Sequence, residues 1–208
     1  MNRRQLKIKV CGMRDRDNIE AVSALNPDYM GFIFHPASPR CVTSPEPLDT
    51  PSTIRRVGVF VNARTADILT TAARYRLDTL QLHGGETPDQ CHELKNAGYE
   101  IIKAFGICEK NDFTLTADYI DCCDLFLFDT RTPAHGGSGR RFDWQLLENY
   151  AGSTPFLLSG GISPRDAKEI SKISHTMLYG VDLNSRFEIE AGIKDLNLLE
   201  PFIKILRS

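Results

Sequence analysis

The stretch PFLLSGGISPRDAKEISKISHTMLYGVDLNS, residues 155–185, contains the unit from which the fold can be inferred. Two short apolar runs, PFLLSG and HTMLYG, have the length and the bounds of buried strands. Between them, Ser163 is a suitable helix N-cap and Pro164 suits the first helical turn. A strand, a helix and a second strand in this order predict a βαβ unit with parallel strands.

The same alternation extends from this unit to the amino end of the chain. Further apolar runs are LKIKVC, YMGFIF, VGVFV, TLQLH, EIIKAF and LFLFD, and segments such as TADILTTAARYR between them suit amphipathic helices. The connection from Phe34 to Ile54 is the exception, because its prolines allow at most a short helix and predict a loop. About eight such units in 208 residues predict an α/β fold, a small (β/α)₈ TIM barrel with a parallel eight-stranded sheet.

One domain accounts for the whole chain. No linker, low-complexity segment or charge block divides it, so residues 1–208 are expected to form a single catalytic barrel domain. A doubly wound open sheet is the alternative, but it usually needs fewer strands than these apolar runs supply.

Composition excludes several classes of partner. Hydrophobic residues make up 41% of the chain, and the net charge of −2 gives no general attraction to nucleic acid or to anionic membranes. No apolar run approaches the roughly 20 residues that cross a bilayer, and the basic amino end continues as a strand pattern. The six cysteines are scattered without a C-x-x-C pair, and Cys122–Cys123 alone is unsuited to zinc. Reduced thiols and a cytoplasmic location are therefore expected.

Candidate proton carriers stand where strands end. In a barrel of this kind the carboxyl ends of the strands converge on one mouth, where the chemistry sits. Cys11 ends the first strand before a glycine and a helix start, where a thiol can have a lowered pKa and act as a base. A small buried hydrophobe is an equally good interpretation of Cys11, and Cys108, just beyond the fifth strand, is a rival base.

The sixth strand, LFLFD, ends in Asp129, and a carboxyl group after such a run is partly desolvated and suits a general acid. A cap or an ion pair in a loop is the alternative role for Asp129. Arg40, after the second strand, could bind a carboxylate in a bidentate manner, although a solvated surface arginine is the simpler interpretation. His35 and His83 each lack a second ligand at a suitable spacing, so no metal site is predicted.

Three glycine-rich segments predict a phosphate site. They follow the sixth, seventh and eighth strands, where backbone amides can hold a dianion with little net charge on the protein. Each segment alone is typical of an ordinary turn, but three on adjacent strands favour phosphate. The candidate ligands are Gly136, Gly137, Ser138, Gly139, Ser159, Gly160, Gly161, Gly180, Asp182, Asn184 and Ser185.

Taken together, KVCGMRD, GFIFHPASPR, VGVFVN, LQLHGGE, FDT…GGSGRRFDW, LSGGIS and GVDLNS…GIKD closely resemble the phosphoribosylanthranilate isomerase family of tryptophan biosynthesis. The resemblance spans Lys9 to about Asp195 and implies a (β/α)₈ barrel with neither metal nor organic cofactor. It implies an Amadori rearrangement of N-(5-phosphoribosyl)anthranilate to 1-(2-carboxyphenylamino)-1-deoxyribulose 5-phosphate. After GVDLNS this chain has Arg186-Phe187-Glu188, where the family usually has Gly-Val-Glu.

Carried over residue by residue, the resemblance implies that Cys11 is the general base, that Asp129 is the general acid and that Arg40 holds the anthranilate carboxylate. It implies that the three glycine-rich segments bind the phosphate. The partner would be a small phosphosugar substrate, with no nucleic acid or membrane, and the protein would be a monomer or a homodimer.

Two other functions compete with this interpretation. Another phosphosugar isomerase or epimerase on the same barrel would typically use paired aspartates or metal-binding histidines, whereas the first strand here offers Cys11. A barrel that only binds a partner is the second alternative, and it conflicts with the presence of Cys11, Arg40 and Asp129 together.

Overall fold

The computed structural model describes residues 5–130 and 142–208, and its centre is a closed barrel of eight parallel strands in chain order. The predicted (β/α)₈ fold is confirmed. The barrel closes because β1 pairs with both β2 and β8. The strands are β1 Lys7–Cys11, β2 Tyr29–Ile33, β3 Arg55–Phe60, β4 Thr79–Leu82, β5 Glu100–Ile107, β6 Leu125–Thr130, β7 Phe156–Leu158 and β8 Leu178–Leu183.

Helices cover the outside of the barrel, but not in every connection. The α-helices are α1 Arg16–Ser23, α2 Thr65–Tyr75, α3 Pro88–Asn96, α4 Ala167–Ile170 and α5 Leu196–Arg207. The connections after β5, β6 and β8 carry 3₁₀ helices at Lys110–Tyr119, Trp144–Asn149 and Ser185–Phe187. Residues 34–54 contain no helix, as their prolines predict.

The helix start predicted at Ser163 is wrong by several residues. The backbone N–H and the hydroxyl of Ser163 donate to the Asp166 carboxylate at 2.7 and 2.8 Å. Asp166 is the N-cap of α4, which begins at Ala167. A side-chain turn therefore fills the segment in which the helix was expected, and α4 spans only about one turn.

The core has an outer layer between the sheet and the helices, and an inner layer that fills the barrel. The inner layer consists mainly of Tyr29, Val57, Ile102, Ala104, Leu125, Leu127 and Leu157. A smaller cluster of Cys11, Ile33 and Val59 lies apart from it. Cys11 and Ile33 are the last residues of their strands, so this cluster marks the carboxyl-end mouth of the barrel. The interior of the barrel is therefore filled with side chains, and the residues of the mouth pack on top of this core.

A short antiparallel hairpin follows β8. It consists of β9 Glu188–Glu190 and β10 Ile193–Lys194, and Gly192 adopts a φ of +91° in its turn, a conformation that glycine adopts without strain. Helix α5 then packs on the barrel through Leu199, Phe202 and Leu206. Within the described ranges, no helix is long and apolar enough to cross a membrane.

Candidate active site

Cys11 lies at the carboxyl end of β1 and is almost fully buried, with 3% of its surface exposed. Its partner across the β1–β2 pairing is Gly31. A β-carbon at Gly31 would lie 2.7 Å from the Cys11 Sγ, a distance that real contacts do not show. Glycine at this position therefore provides the space that the thiol occupies.

A buried ion pair lies below the thiol. The Lys9 side chain has no exposed surface, and its Nζ lies 2.7 Å from Oδ1 of Asp182 on β8. The Ser159 hydroxyl donates to Oδ2 of Asp182 at 3.3 Å, so the carboxylate is held from two sides. Lys9 and Cys11 are two residues apart on β1 and project to the same side of the strand, towards the interior.

The electrostatic environment does not give Cys11 the lowered pKa that its sequence position suggests. Burial raises the pKa of the Cys11 thiol, Lys9 and Lys194 act in the opposite direction, and Asp182 adds to the increase. Burial would lower the pKa of Lys9, but Asp182 and Cys11 outweigh burial and raise it. Cys11 is therefore protonated at neutral pH in the free barrel, beside an ammonium group that favours its ionisation.

Arg40 reaches the mouth from the loop after β2. Its Nε and Nη2 donate to both carboxylate oxygens of Glu188, at distances between 2.6 and 3.0 Å. A β-carbon at Gly12 would lie 2.7 Å from the Arg40 Cδ and 2.7 Å from the Asn184 Oδ1. The stem of Arg40 thus lies against the backbone that follows Cys11.

A second buried lysine completes this side of the mouth. Lys194 Nζ donates to Asn184 Oδ1 at 2.8 Å and pairs with Glu188 Oε1 at 2.5 Å. Burial tends to raise the pKa of Glu188, but Arg40 and Lys194 outweigh burial and lower it. Glu188 is therefore an ionised carboxylate that holds two cations in place at the barrel mouth.

Asp129 lies on β6, separated from β1 by β7 and β8 around the barrel. Its Oδ1 accepts the backbone N–H of Thr130 at 2.7 Å, and its Oδ2 lies 3.4 Å from Nε2 of His83. The amide nitrogen of Gln81 lies 2.8 Å from Nδ1 of His83. If the Gln81 amide donates to Nδ1, the proton of the neutral imidazole is on Nε2, which faces Asp129.

The segment after β7 lies directly against Asp129. Gly160 and Gly161 adopt φ values of +84° and +67°. A β-carbon at Gly160 would lie 2.4 Å from Thr130 Oγ1 and 2.9 Å from the Asp129 Oδ1. Among the residues that the structure describes, the amides of Gly160 and Gly161 have no hydrogen-bond acceptor, so they are available for an anion.

The candidates on β8 are distributed along the strand. Asn184 and Ser185 follow its carboxyl end, and Asp182 points into the barrel towards Lys9. Gly180 pairs with Lys7, the first residue of β1, and a β-carbon there would lie 2.2 Å from the Lys7 carbonyl oxygen. Gly180 is thus about 10 Å below the end of β8, at roughly 3.3 Å per residue, and the structure does not bring it to the mouth.

Two further sequence candidates lie away from this cluster or outside the described ranges. The segment from Gly136 to Gly139 falls outside the residues that the structure describes. Cys108, the rival base, is an exposed residue after β5, and its backbone N–H donates to the Asp112 carboxylate at 2.7 Å.

The sequence-based prediction missed the buried lysines Lys9 and Lys194 and the carboxylate Glu188. The K-x-C spacing contains the signal for Lys9, because residues two apart on a strand share a face and Cys11 was expected to face the mouth. Lys194 and Glu188 lie in the family motif that runs from GVDLNS to GIKD, but the apolar pattern does not predict the hairpin that brings their side chains together.

Comparison with known proteins assigns this chain to a family. The family model described as N-(5'-phosphoribosyl)anthranilate (PRA) isomerase matches residues 8–205. The N-(5'-phosphoribosyl)anthranilate isomerase of Parabacteroides distasonis is 50% identical over 202 residues, which cover 95% of this chain and 91% of the relative. The Phocaeicola vulgatus enzyme of the same name is 45% identical over 200 residues, with 96% and 97% covered.

Solved structures agree with this assignment. Mutually generated monomers of the dimeric phosphoribosylanthranilate isomerase from Thermotoga maritima superpose with a TM-score of 0.81 at 28% identity, with 97% of this chain and 98% of the other covered. A phosphoribosyl anthranilate isomerase in complex with reduced 1-(o-carboxyphenylamino)-1-deoxyribulose 5-phosphate gives a TM-score of 0.79 at 28% identity, with the same coverage.

Proposed function

The chain belongs to the N-(5'-phosphoribosyl)anthranilate isomerase family, and we propose that Cys11 is its general base and Asp129 its general acid. The enzyme catalyses the Amadori rearrangement of N-(5-phosphoribosyl)anthranilate to 1-(2-carboxyphenylamino)-1-deoxyribulose 5-phosphate. This reaction is an intramolecular aldose–ketose isomerisation in tryptophan biosynthesis. The family assignment supplies the reaction, and the arrangement of the barrel mouth supports the roles proposed for individual side chains.

The first proposed step opens the furanose ring. Asp129 delivers a proton to the ring oxygen while the nitrogen lone pair expels that oxygen from C1, which leaves a protonated imine and a free hydroxyl. Because Oδ1 of Asp129 accepts the Thr130 amide, Oδ2 is the oxygen that carries the transferred proton. His83 faces Oδ2 and limits the directions in which the carboxyl group can turn.

The second proposed step removes the C2 proton. The cationic imine acidifies this proton, and a thiolate at Cys11 accepts it, so that the electron pair of the C–H bond neutralises the imine and an enolamine forms. The enolamine then tautomerises to the ketone. Because the pKa of Cys11 is raised, the thiol must first release its proton to solvent, and the cationic imine and Lys9 both favour the resulting thiolate.

Anchors at both ends of the substrate position it between the two proton carriers. Arg40 binds Glu188 through Nε and Nη2. Its Nη1 has no hydrogen-bond partner among the described residues. Nη1 therefore donates to the anthranilate carboxylate in this proposal. We assign the phosphate to the amides of Gly160, Gly161 and Ser185. Backbone amides hold an anion without net charge.

The segment Gly136–Gly139 remains a proposed part of the phosphate site, while Gly180 is left out because of its depth in the barrel wall. We assign a positioning role to Asp182, which binds Lys9, and to Asn184, which binds Lys194. Neither side chain contacts the phosphate in this proposal. Proper positioning of the reacting atoms between such anchors contributes several kcal/mol, roughly 7–11 in well-oriented systems.

The observation that carries the residue assignment is the placement of a buried thiol and an acid at the carboxyl ends of β1 and β6 of one barrel. The test follows the fluorescence of freshly generated phosphoribosylanthranilate at neutral pH with EDTA present. We expect wild type to consume it rapidly. We expect Cys11→Ser and Asp129→Asn to be slower by about 10²–10⁴-fold, while product affinity is largely kept.

Cys108→Ser is the matched control, because Cys108 is the exposed rival thiol. If Cys108→Ser lost activity and Cys11→Ser kept most of its kcat, the base would be Cys108 and the proposal would be wrong. An unchanged rate for Asp129→Asn would remove Asp129 from the acid role. Turnover of other aminoaldose phosphates in preference to phosphoribosylanthranilate would favour the alternative of another phosphosugar isomerase on the same barrel.

We further propose that residues 1–208 form one catalytic domain, that the enzyme works in the cytoplasm and that it is a monomer or a homodimer. Six free cysteines support a reducing compartment, and the Thermotoga maritima relative supports both oligomeric states. Sedimentation of the purified protein distinguishes the two states, and a larger assembly would contradict this proposal.

A further inference from the structure

Three buried thiols converge outside the barrel, on β5's outer side and away from the mouth. The Sγ atoms of Cys91, Cys122 and Cys123 all lie within 4.8 Å of one another. The Cys122 and Cys123 sulfurs are 3.9 Å apart. Each of these residues is 4% exposed or less, and the proposed mechanism uses none of them.

Two elements bring these cysteines together. Cys91 lies on the buried face of α3, next to Leu94. Cys122 and Cys123 follow the 3₁₀ helix Lys110–Tyr119, and the backbone N–H groups of both donate to the Tyr119 carbonyl. This tight turn allows two consecutive side chains to point into the same buried space. The sequence spacing gives no indication of the cluster, because Cys91 belongs to a different element.

The distances fit one ion bound by three sulfurs. At a metal–sulfur distance of about 2.3 Å, three thiolates in a trigonal plane are roughly 4.0 Å apart. The 3.9 Å between Cys122 and Cys123 matches this separation, and the 4.8 Å limit on the other two pairs requires a shift of less than about 1 Å.

Among the described residues no carboxylate or imidazole joins the three sulfurs, and the Tyr119 carbonyl oxygen, 3.5 Å from the Cys122 Sγ, already accepts two backbone N–H groups. Glu86, the nearby buried carboxylate, is committed to Lys103 at 3.2 Å and to the backbone amides of Asn62 and Gly84. A three-sulfur set without an oxygen donor favours soft ions over Mg²⁺ or Ca²⁺. Zn²⁺ prefers four ligands, whereas Cu(I) accepts three, so the geometry favours Cu(I).

A positive charge beside the thiols offsets the charge of the thiolates. The Lys103 ammonium is buried beside α3 and donates to the carbonyls of Leu82 and Gly84. A hydrogen bond from Cys123 lowers the pKa of Cys91 despite burial, and Lys103 lowers it further.

We propose that Cys91, Cys122 and Cys123 bind one soft monovalent cation, Cu(I), in a trigonal three-sulfur site that is separate from the catalytic mouth. The bound ion links α3 to the turn before β6, two elements that carry no catalytic group. Binding therefore increases thermal stability and leaves the isomerase reaction unaltered.

The test adds one equivalent of Cu(I) to the reduced protein without oxygen, in the presence of a competing Cu(I) chelator. Wild type is expected to retain one copper per chain and to show an ultraviolet thiolate-to-copper charge-transfer band. Cys91→Ala is expected to bind at least about 100-fold more weakly, since even the loss of a group behind a ligand costs about 10–100-fold. Cys108→Ala removes an exposed thiol and is expected to bind like wild type.

Isomerase activity and circular dichroism report folding of each variant. If Cys91→Ala does not fold, X-ray absorption of copper-loaded wild type takes its place, with three sulfurs at one distance expected. No retention by wild type, equal retention by Cys91→Ala, loss in Cys108→Ala, or two sulfurs with an oxygen would each overturn the proposal. So would loss of activity at the first equivalent, because the ion would then be on Cys11.

Discussion

At the scale of single residues, the fully buried Lys9 favours the thiolate that the proposed base role of Cys11 requires. The Lys9 ammonium is held in position by Asp182 at 2.7 Å and acts to lower the pKa of Cys11, against the effect of burial. The sign of each contribution can be measured, because the thiolate is the reactive form of Cys11.

We predict that kcat/KM rises with pH through and beyond the range in which an ordinary thiol ionises, because the pKa of Cys11 is raised. Lys9→Met should move this rise to higher pH, since it removes the neighbouring positive charge. Asp182→Asn should move it to lower pH, since Asp182 raises the pKa of Cys11. Profiles that shift in the same direction in both variants would contradict this account.

The absence of a side chain at Gly31 leaves room for the Cys11 thiol, and this can be tested. Gly31→Ala places a methyl group 2.7 Å from the Cys11 Sγ, so the thiol or the strand must move. We expect kcat to fall by about 10²-fold, the cost of roughly a 1 Å misplacement, while KM changes little. Gly85→Ala is the matched control, because Gly85 is exposed and its added β-carbon has no neighbour closer than 3.6 Å. Equal kcat values in the two variants would show that crowding at Cys11 does not matter.

Residue types at strand ends were enough to select Cys11 and Asp129 as candidates, because the carboxyl ends of parallel strands meet at one mouth. The same approach predicted Gly180 in the phosphate site, whereas the structure pairs Gly180 with the first residue of β1. A motif such as GVDLNS does not tell where its strand ends, and Gly180 lies beside Lys7 at the opposite end of the barrel.

At the scale of elements, the hairpin of β9 and β10 controls the mouth through Glu188. This carboxylate is 4% exposed and binds Arg40 and Lys194 together. Its pKa in the folded protein is lowered, so its ion pairs contribute stability above the ordinary pKa of about 4.5. That contribution is lost as the pH falls through the lowered pKa of the folded state.

We therefore predict that Glu188→Gln lowers the free energy of unfolding by about 3–5 kcal/mol at pH 7, because two buried cations lose their partner. The difference from wild type should shrink when the pH falls below the folded pKa of Glu188. Urea titrations at pH 7 and in acid measure both values. Glu190→Gln, on the exposed part of the same strand, should be neutral, and a pH-independent loss in Glu188→Gln would exclude the ion pairs as its cause.

Elements with a strong local pattern were predictable, and those that depend on tertiary contacts were not. Apolar runs of strand length indicated all eight barrel strands, and the prolines after β2 indicated a loop. Turns closed by side-chain hydrogen bonds determine the 3₁₀ helices after β5 and β6 and the late start of α4. One example is the pair of hydrogen bonds from the backbone N–H groups of Cys108 and Glu109 to the Asp112 carboxylate. Helical periodicity alone does not distinguish such turns from α-helix.

At the scale of the whole molecule, closure of the barrel ties the ends of the chain together. Because β1 pairs with β8, no strand can unfold without breaking the closed hydrogen-bonded barrel. We predict that urea unfolding followed by fluorescence of Trp144, the single tryptophan, coincides with unfolding followed by far-ultraviolet circular dichroism. Different midpoints for the two signals would divide the chain into independently folding parts and contradict the proposed single domain.

The pair of Lys9 and Asp182 joins residues 173 positions apart in the chain, and this has a consequence for synthesis on the ribosome. Cys11 is translated long before β8. Until β8 leaves the ribosome, Lys9 has no ion pair with Asp182, and Cys11 is not buried in a closed barrel. A nascent chain therefore carries the proposed base without the buried ion pair beside it while the segments between β1 and β8 are translated, and the pair can form only after β8 has been added.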